Sequence, residues 1–239
     1  MPSELDGFLT DRLYLQAAAN TRLMLAVLAT VALAGCQRDV TDPWPTAADL
    51  ANSIGDRGVL PVGSRPYGKT YGQWAGAWWQ WAYGIPASTN PLFDETGDNC
   101  GTGQQGPVWF LAGVFNASGT AVRDNCVVPA GRALFIPILN AECSNVEGNG
   151  ASPDALRACV KGIMDGNTDL ALELDGRAIE HLETFRVQSP AFSVELPTDN
   201  LLALFGYDAP AGRCMPGPGP CVPYLSVADG IHVMLAPLS

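Results

Sequence analysis

The residues in this chain best suited to chemistry are carboxylates. Asp94, Glu95 and Asp98 stand together in FDETGDN, and Glu142 and Glu147 follow in NAECSNVEG. A glycosidase needs only two carboxyl groups, about 5 to 10 Å apart, one of them a general acid. Asp94, Asp98 and Asn99 also offer the hard oxygen ligands that calcium takes. Other chemistries lack their residues. No GxSxG elbow accompanies a histidine and a carboxylate, and neither GxxxxGK[ST] nor a strand-linked GxGxxG occurs. His181 and His232, the chain's 2 histidines, sit in strand-like surroundings that favour structural roles. With no CxxC pair beside them, zinc has no ligand set. Asp165-Gly166-Asn167-Thr168-Asp169 opens like an EF-hand loop, but Leu170 replaces the required glycine and Gly176 the bidentate glutamate. That segment reads as a turn. No catalytic residue, metal ligand or cofactor is assigned.

Aromatic rings are the second chemical resource. The stretch 64–86, SRPYGKTYGQWAGAWWQWAYGIP, holds four of the 6 tryptophans. At the helical period, Tyr67, Tyr71, Trp74, Trp78 and Trp81 share an arc of roughly 80°, with Lys69, Gln73 and Gln80 opposite. Gly84 and Pro86 supply the stop. Such a stripe is expected to pack on the protein's own sheet, because each ring buries a large area. Trp79 and Tyr83 fall off the stripe. Together with Asp94 and Asp98 they are the candidate ligand-binding residues, in a setting suited to a glycan.

These groups need a scaffold, and the cysteines outline one. Of the 7 cysteines, Cys100, Cys126, Cys143, Cys159, Cys214 and Cys221 form an even set that supports up to three disulfides. Local geometry favours Cys214 with Cys221 across MPGPGP, Cys100 with Cys126 at the ends of a strand, and Cys143 with Cys159 from a loop to a helix.

The pattern between them is mainly β. Strands are expected at 107–115, 121–128, 131–139, 183–188 and 191–196, with Pro137 marking an edge or a bulge. Ser152-Pro153-Asp154 gives an N-cap, a first-turn proline and an acidic first turn, so 153–164 is a helix. Asp175-Gly176 joins a type I′ hairpin. A single helical turn is expected from 197 to 204, closed by Gly206. Ala228-Asp229-Gly230 reads as the turn between a final pair of strands, 224–227 and 231–235. About eight short strands with two helices point to a single disulfide-stapled β-sandwich or jelly-roll-like domain.

Composition narrows the partners. The formal net charge is -11 and only 15% of residues are charged. Without a basic stripe, nucleic acid and direct binding to anionic lipid are not expected.

The N-terminal segment is an address. Residues 21–36, TRLMLAVLATVALAGC, combine an arginine, an apolar run too short to span a membrane, and small residues. Leu33-Ala34-Gly35-Cys36 resembles the lipobox of bacterial lipoproteins. The resemblance implies cleavage before Cys36, diacylation of its thiol and, with Gln37 rather than aspartate next, delivery to the outer membrane. Residues 1–35 are thus read as a signal peptide, 36–63 as a flexible tether, and 64–239 as the helix and β-domain. The segments WAGAWWQWAYGIP, GPVWFLAG, CVVPAGRALFIPILNAEC and ADGIHVMLAPLS resemble a group of exported bacterial proteins with no assigned activity. In that group a Pro-Gly turn and a further strand follow the last segment, so a C-terminal truncation is expected. The expectation is an envelope lipoprotein facing the periplasm or the surface, tethered through its lipid and acting as a non-catalytic binding or structural module. Its partner would be an envelope glycan or protein. The alternatives are a polysaccharide hydrolase using loop carboxylates and a protein-interaction module. Oligomeric state is left open.

Overall fold

The computed structural model describes residues 58–115, 120–167, 169–215, 217 and 219–237. The expected signal peptide, Cys36 and most of the expected tether lie outside the described residues. Helix α1 spans Tyr71–Gly84. Thr70 caps it in a reciprocal box: Gln73 N donates to Thr70 Oγ1 at 3.2 Å, and Thr70 N to Gln73 Oε1 at 2.9 Å. Tyr67 precedes the cap and is exposed, so it leaves the expected stripe. Helix α2 spans Pro153–Met164, with Ser152 accepting from Ala155 N as its cap. The expected late turn is α3, Leu201–Leu204.

Seven strands occur among the described residues. β1 (Val108–Phe110) runs parallel to β2 (Ala133–Ser144), and β2 is antiparallel to β7 (Leu225–Leu235). The far edge of β7 is shared by β5 (Arg186–Gln188) and β6 (Phe192–Ser193), both antiparallel to it. β3 (Glu173–Leu174) and β4 (Arg177–Ala178) form a separate two-stranded ribbon joined by Asp175-Gly176, whose φ angles are 49° and 75°. The domain is therefore mainly β with helices. It carries three disulfides, Cys100–Cys126, Cys143–Cys159 and Cys214–Cys221, the same pairs that local geometry favours.

Two expectations fail for physical reasons. The final pair of strands is one continuous strand, because β2 is long enough to pair with β7 from Leu134 through Ser144. Gly230 does not turn the chain there. It admits a close approach: a Cβ would lie 2.6 Å from Asn140 Cβ and 2.8 Å from the Leu139 carbonyl oxygen. Residues 121–128 form no strand. They are held as a loop by the Cys100–Cys126 bridge and by Arg123, whose guanidinium donates to the carbonyls of Asp94, Ala112, Pro91 and Gly113. The folded part also begins before Ser64, since Val59 bridges to Leu235 and Leu60 N donates to Met234 O.

A bulge decides which side chains face which helix. Pro137 pairs with His232 but Leu139 pairs with Ile231, so Ile138 is an extra residue in β2. Before the bulge the odd-numbered Phe135 stacks on His232 and meets Tyr71 of α1. After it, the odd-numbered Ala141 and Cys143 pack with Val227 against α2, and Cys143 bonds to Cys159. The even-numbered Asn140, Glu142 and Ser144 are thereby turned to the α1 side, opposite Gly230, Ala228 and Ser226.

Candidate functional site

Helix α1 is buried nearly all round. Tyr71, Trp74, Trp78, Trp79, Trp81 and Tyr83 are all buried, while Gln73 and Gln80 remain exposed. Three indoles find acceptors: Trp74 Nε1 donates to Pro66 O, Trp78 Nε1 to Leu111 O and Trp81 Nε1 to Thr102 O. Trp79 Nε1 has none. A tryptophan buries about 150–250 Å², which at about 25 cal/mol per Å² contributes about 4–6 kcal/mol. That outweighs the roughly 1–3 kcal/mol lost to one unpartnered donor. Trp79 therefore belongs to the core, between Trp78 and Tyr83 at ring distances of 5.1 and 5.3 Å. Neither it nor Tyr83 presents a face to solvent.

The acidic loop is also committed internally. Asp94 Oδ1 accepts from Thr96 N, Thr96 Oγ1 and Gly97 N, and its Oδ2 accepts from Asn99 N. Burial alone would raise this carboxyl, but the hydrogen bonds outweigh it and bring the pKa to about 2. Asp98 is exposed and accepts from Asn125 Nδ2 at 2.8 Å. This arrangement closes a loop and commits Asp94 chiefly to its own turn.

Tyr83 leads instead to carboxyls of the second group. Its hydroxyl donates to Glu142 Oε2 at 2.8 Å. Glu142, 8% exposed, touches the carboxyl of Glu147, which is half-buried. Ser144 Oγ donates to Glu147 Oε2 at 2.7 Å. The turn carrying Glu147 is fixed at both ends: Ser144 N donates to Asn149 Oδ1, and Asn145 N to Leu225 O. Ser226, paired with Ser144 across the strands and 1% exposed, faces Glu142, but neither its Oγ nor Glu142 Oε1 has a partner of hydrogen-bond geometry.

The electrostatics follow from burial. Glu142 is pushed well above the carboxylate range, first by desolvation and then by the charge of Glu147. Glu147 is raised as well, again mainly by desolvation. The Tyr83 hydroxyl is raised by burial and then by Glu142, so it stays a neutral donor. Two touching carboxylates in such a place cannot both stay charged unless a proton or a cation lies with them. Further along the same face, His232 is fully buried with both ring nitrogens unpartnered, and desolvation lowers its pKa to about 4.

A groove of about 710 Å³ lies elsewhere, lined by Gln80, Ser193, Glu195, Leu196, Pro197 and Arg213, none of them a member of the carboxyl cluster. Sequence reasoning named Tyr83 and weighed Glu142 and Glu147 as loop residues, but it missed Ser226 and Ser144. Alternation through 140, 142 and 144 would have revealed the face, had the strand been extended beyond residue 139. No family model, curated protein or solved structure matches the chain.

Proposed function

We propose that the protein is a lipid-tethered module of the cell envelope whose folded domain is non-catalytic. The observation that carries this reading is the set of three disulfides in one domain, which suits an oxidising compartment outside the cytoplasm. The order of features agrees: an apolar leader ending in Leu33-Ala34-Gly35-Cys36 lies upstream of that domain. The burial of Trp79 and Tyr83 moves weight from a glycan platform on α1 toward a structural or ion-binding role. Hydrolysis by paired carboxylates has little support, because Glu142 and Glu147 touch and are not spaced across a cleft. The finer architectural expectation, a sandwich or jelly roll, rests on strand spacing alone. Among the described residues only the β3–β4 ribbon lies outside the main sheet. The anchor is tested by fractionating cells that express the full chain. The wild type is expected in the detergent phase with no reactive thiols, and Cys36→Ala in the aqueous phase. Unchanged partitioning of Cys36→Ala would refute the anchor.

A further inference from the structure

We infer that Glu142 and Glu147, with the hydroxyls of Ser226 and Ser144, form a binding site for a hard divalent cation, and that the ion is calcium. The donor set is all oxygen. Tyr83 holds Glu142 through Oε2 and so leaves Oε1 free. Ser226 Oγ, buried from solvent and without a partner, faces the same carboxyl. A proton shared between the two carboxyls would relieve their repulsion but give Ser226 Oγ no partner. A cation relieves the repulsion and takes both Glu142 Oε1 and Ser226 Oγ as ligands. Among the described residues, no Lys, Arg or His is named among the groups acting on Glu142 or Glu147.

Ion size and access decide between calcium and magnesium. Magnesium keeps several waters in a strict octahedron, whereas calcium accepts irregular shells of protein oxygens. Glu142, Ser226 and Tyr83 are all buried, which disfavours an ion that keeps its hydration shell. Half-buried Glu147 is the route in and the place where water completes the shell. The donors sit on paired strands and a pinned turn, next to the Cys143–Cys159 bridge, so the site is held by rigid elements. The choice of calcium over other ions rests on the extracytoplasmic reading, since modules outside cells bind it at about 10⁻⁴ to 10⁻³ M.

The test uses purified full-length protein and terbium as a luminescent calcium probe. Tyr83, hydrogen-bonded to Glu142, and Trp79 packed on it are suitable sensitisers. Saturable terbium emission is expected, displaced by calcium in the range of about 10⁻⁴ to 10⁻³ M but not by equal magnesium. Calcium should also raise the melting temperature. Glu147→Gln, a mild change at a half-buried position, should weaken displacement at least tenfold, and Ser226→Ala severalfold. Asp94→Asn should leave it unchanged. Emission that survives Glu147→Gln, or a melting temperature indifferent to calcium, would overturn the site. These readouts do not depend on where the protein resides, so their failure is separable from failure of the anchor.

Discussion

At the scale of single residues, His232 gives the clearest solution prediction. Its imidazole is neutral in the fold at any pH well above 4, whereas an unfolded chain protonates near 6.5. The folded pKa is the lower one, so the unfolded state takes up the extra proton as pH falls. The contribution is complete above about 6.5 and lost progressively toward 4, to the extent of roughly 3 kcal/mol at 1.36 kcal/mol per unit. Glu142 and Glu147 act in the opposite sense, since their raised values favour the native state on acidification. The measurement is therefore a difference: urea unfolding of wild type against His232→Gln between pH 7 and 4. The gap between the two curves should change in that window. Parallel curves for His232→Gln would contradict the assignment.

At the scale of elements, legibility depended on how local the signals were. Helix α2 was readable because cap, proline and acidic first turn lie within three consecutive residues, 152–154. The ribbon at Asp175-Gly176 was readable for the same reason. Strand β7 was not, because Ala228-Asp229-Gly230 is a turn signal in isolation and pairing with β2 overrides it. The carboxyl cluster was only half legible. Pro137 signals the bulge, but which side of the sheet the parity sends Glu142 to depends on Ile138 being the extra residue, which only pairing with β7 decides. Close packing of α1 gives this scale its prediction. A Cβ on Gly72 would stand 2.4 Å from the Gln188 carbonyl oxygen in β5, where backbone cannot yield. Gly72→Ala should cost about 1–3 kcal/mol despite its better helix propensity. Thermal melts that show stabilisation would mean the helix can slide away from β5.

For the whole molecule, the disulfides span 26, 16 and 7 residues. Chain entropy then ranks their contributions at about 3.5, 3.1 and 2.4 kcal/mol respectively. Pairwise replacement by alanine should therefore destabilise in the order Cys100–Cys126, Cys143–Cys159, Cys214–Cys221. The middle pair has a second role, since it ties β2 to α2 one residue from Glu142. If chemical denaturation reverses the order of the outer two pairs, strain or residual structure governs and loop length does not. Three closed loops and a buried aromatic helix together restrict how far the domain can open.

The pairing order of those cysteines has a consequence for biogenesis. Among the six cysteines that pair, every bridge joins neighbours in the sequence. Were the chain exported as proposed, N-terminus first, each pair could oxidise as it emerges, before the next thiols arrive to compete. Reshuffling by an isomerase is unnecessary for the native set. The sheet obeys the opposite schedule: β7 joins β2, β5 and β6 and follows all of them in the chain. Covalent closure within each local loop need not wait for β7, whereas the hydrogen-bonded centre of the sheet must.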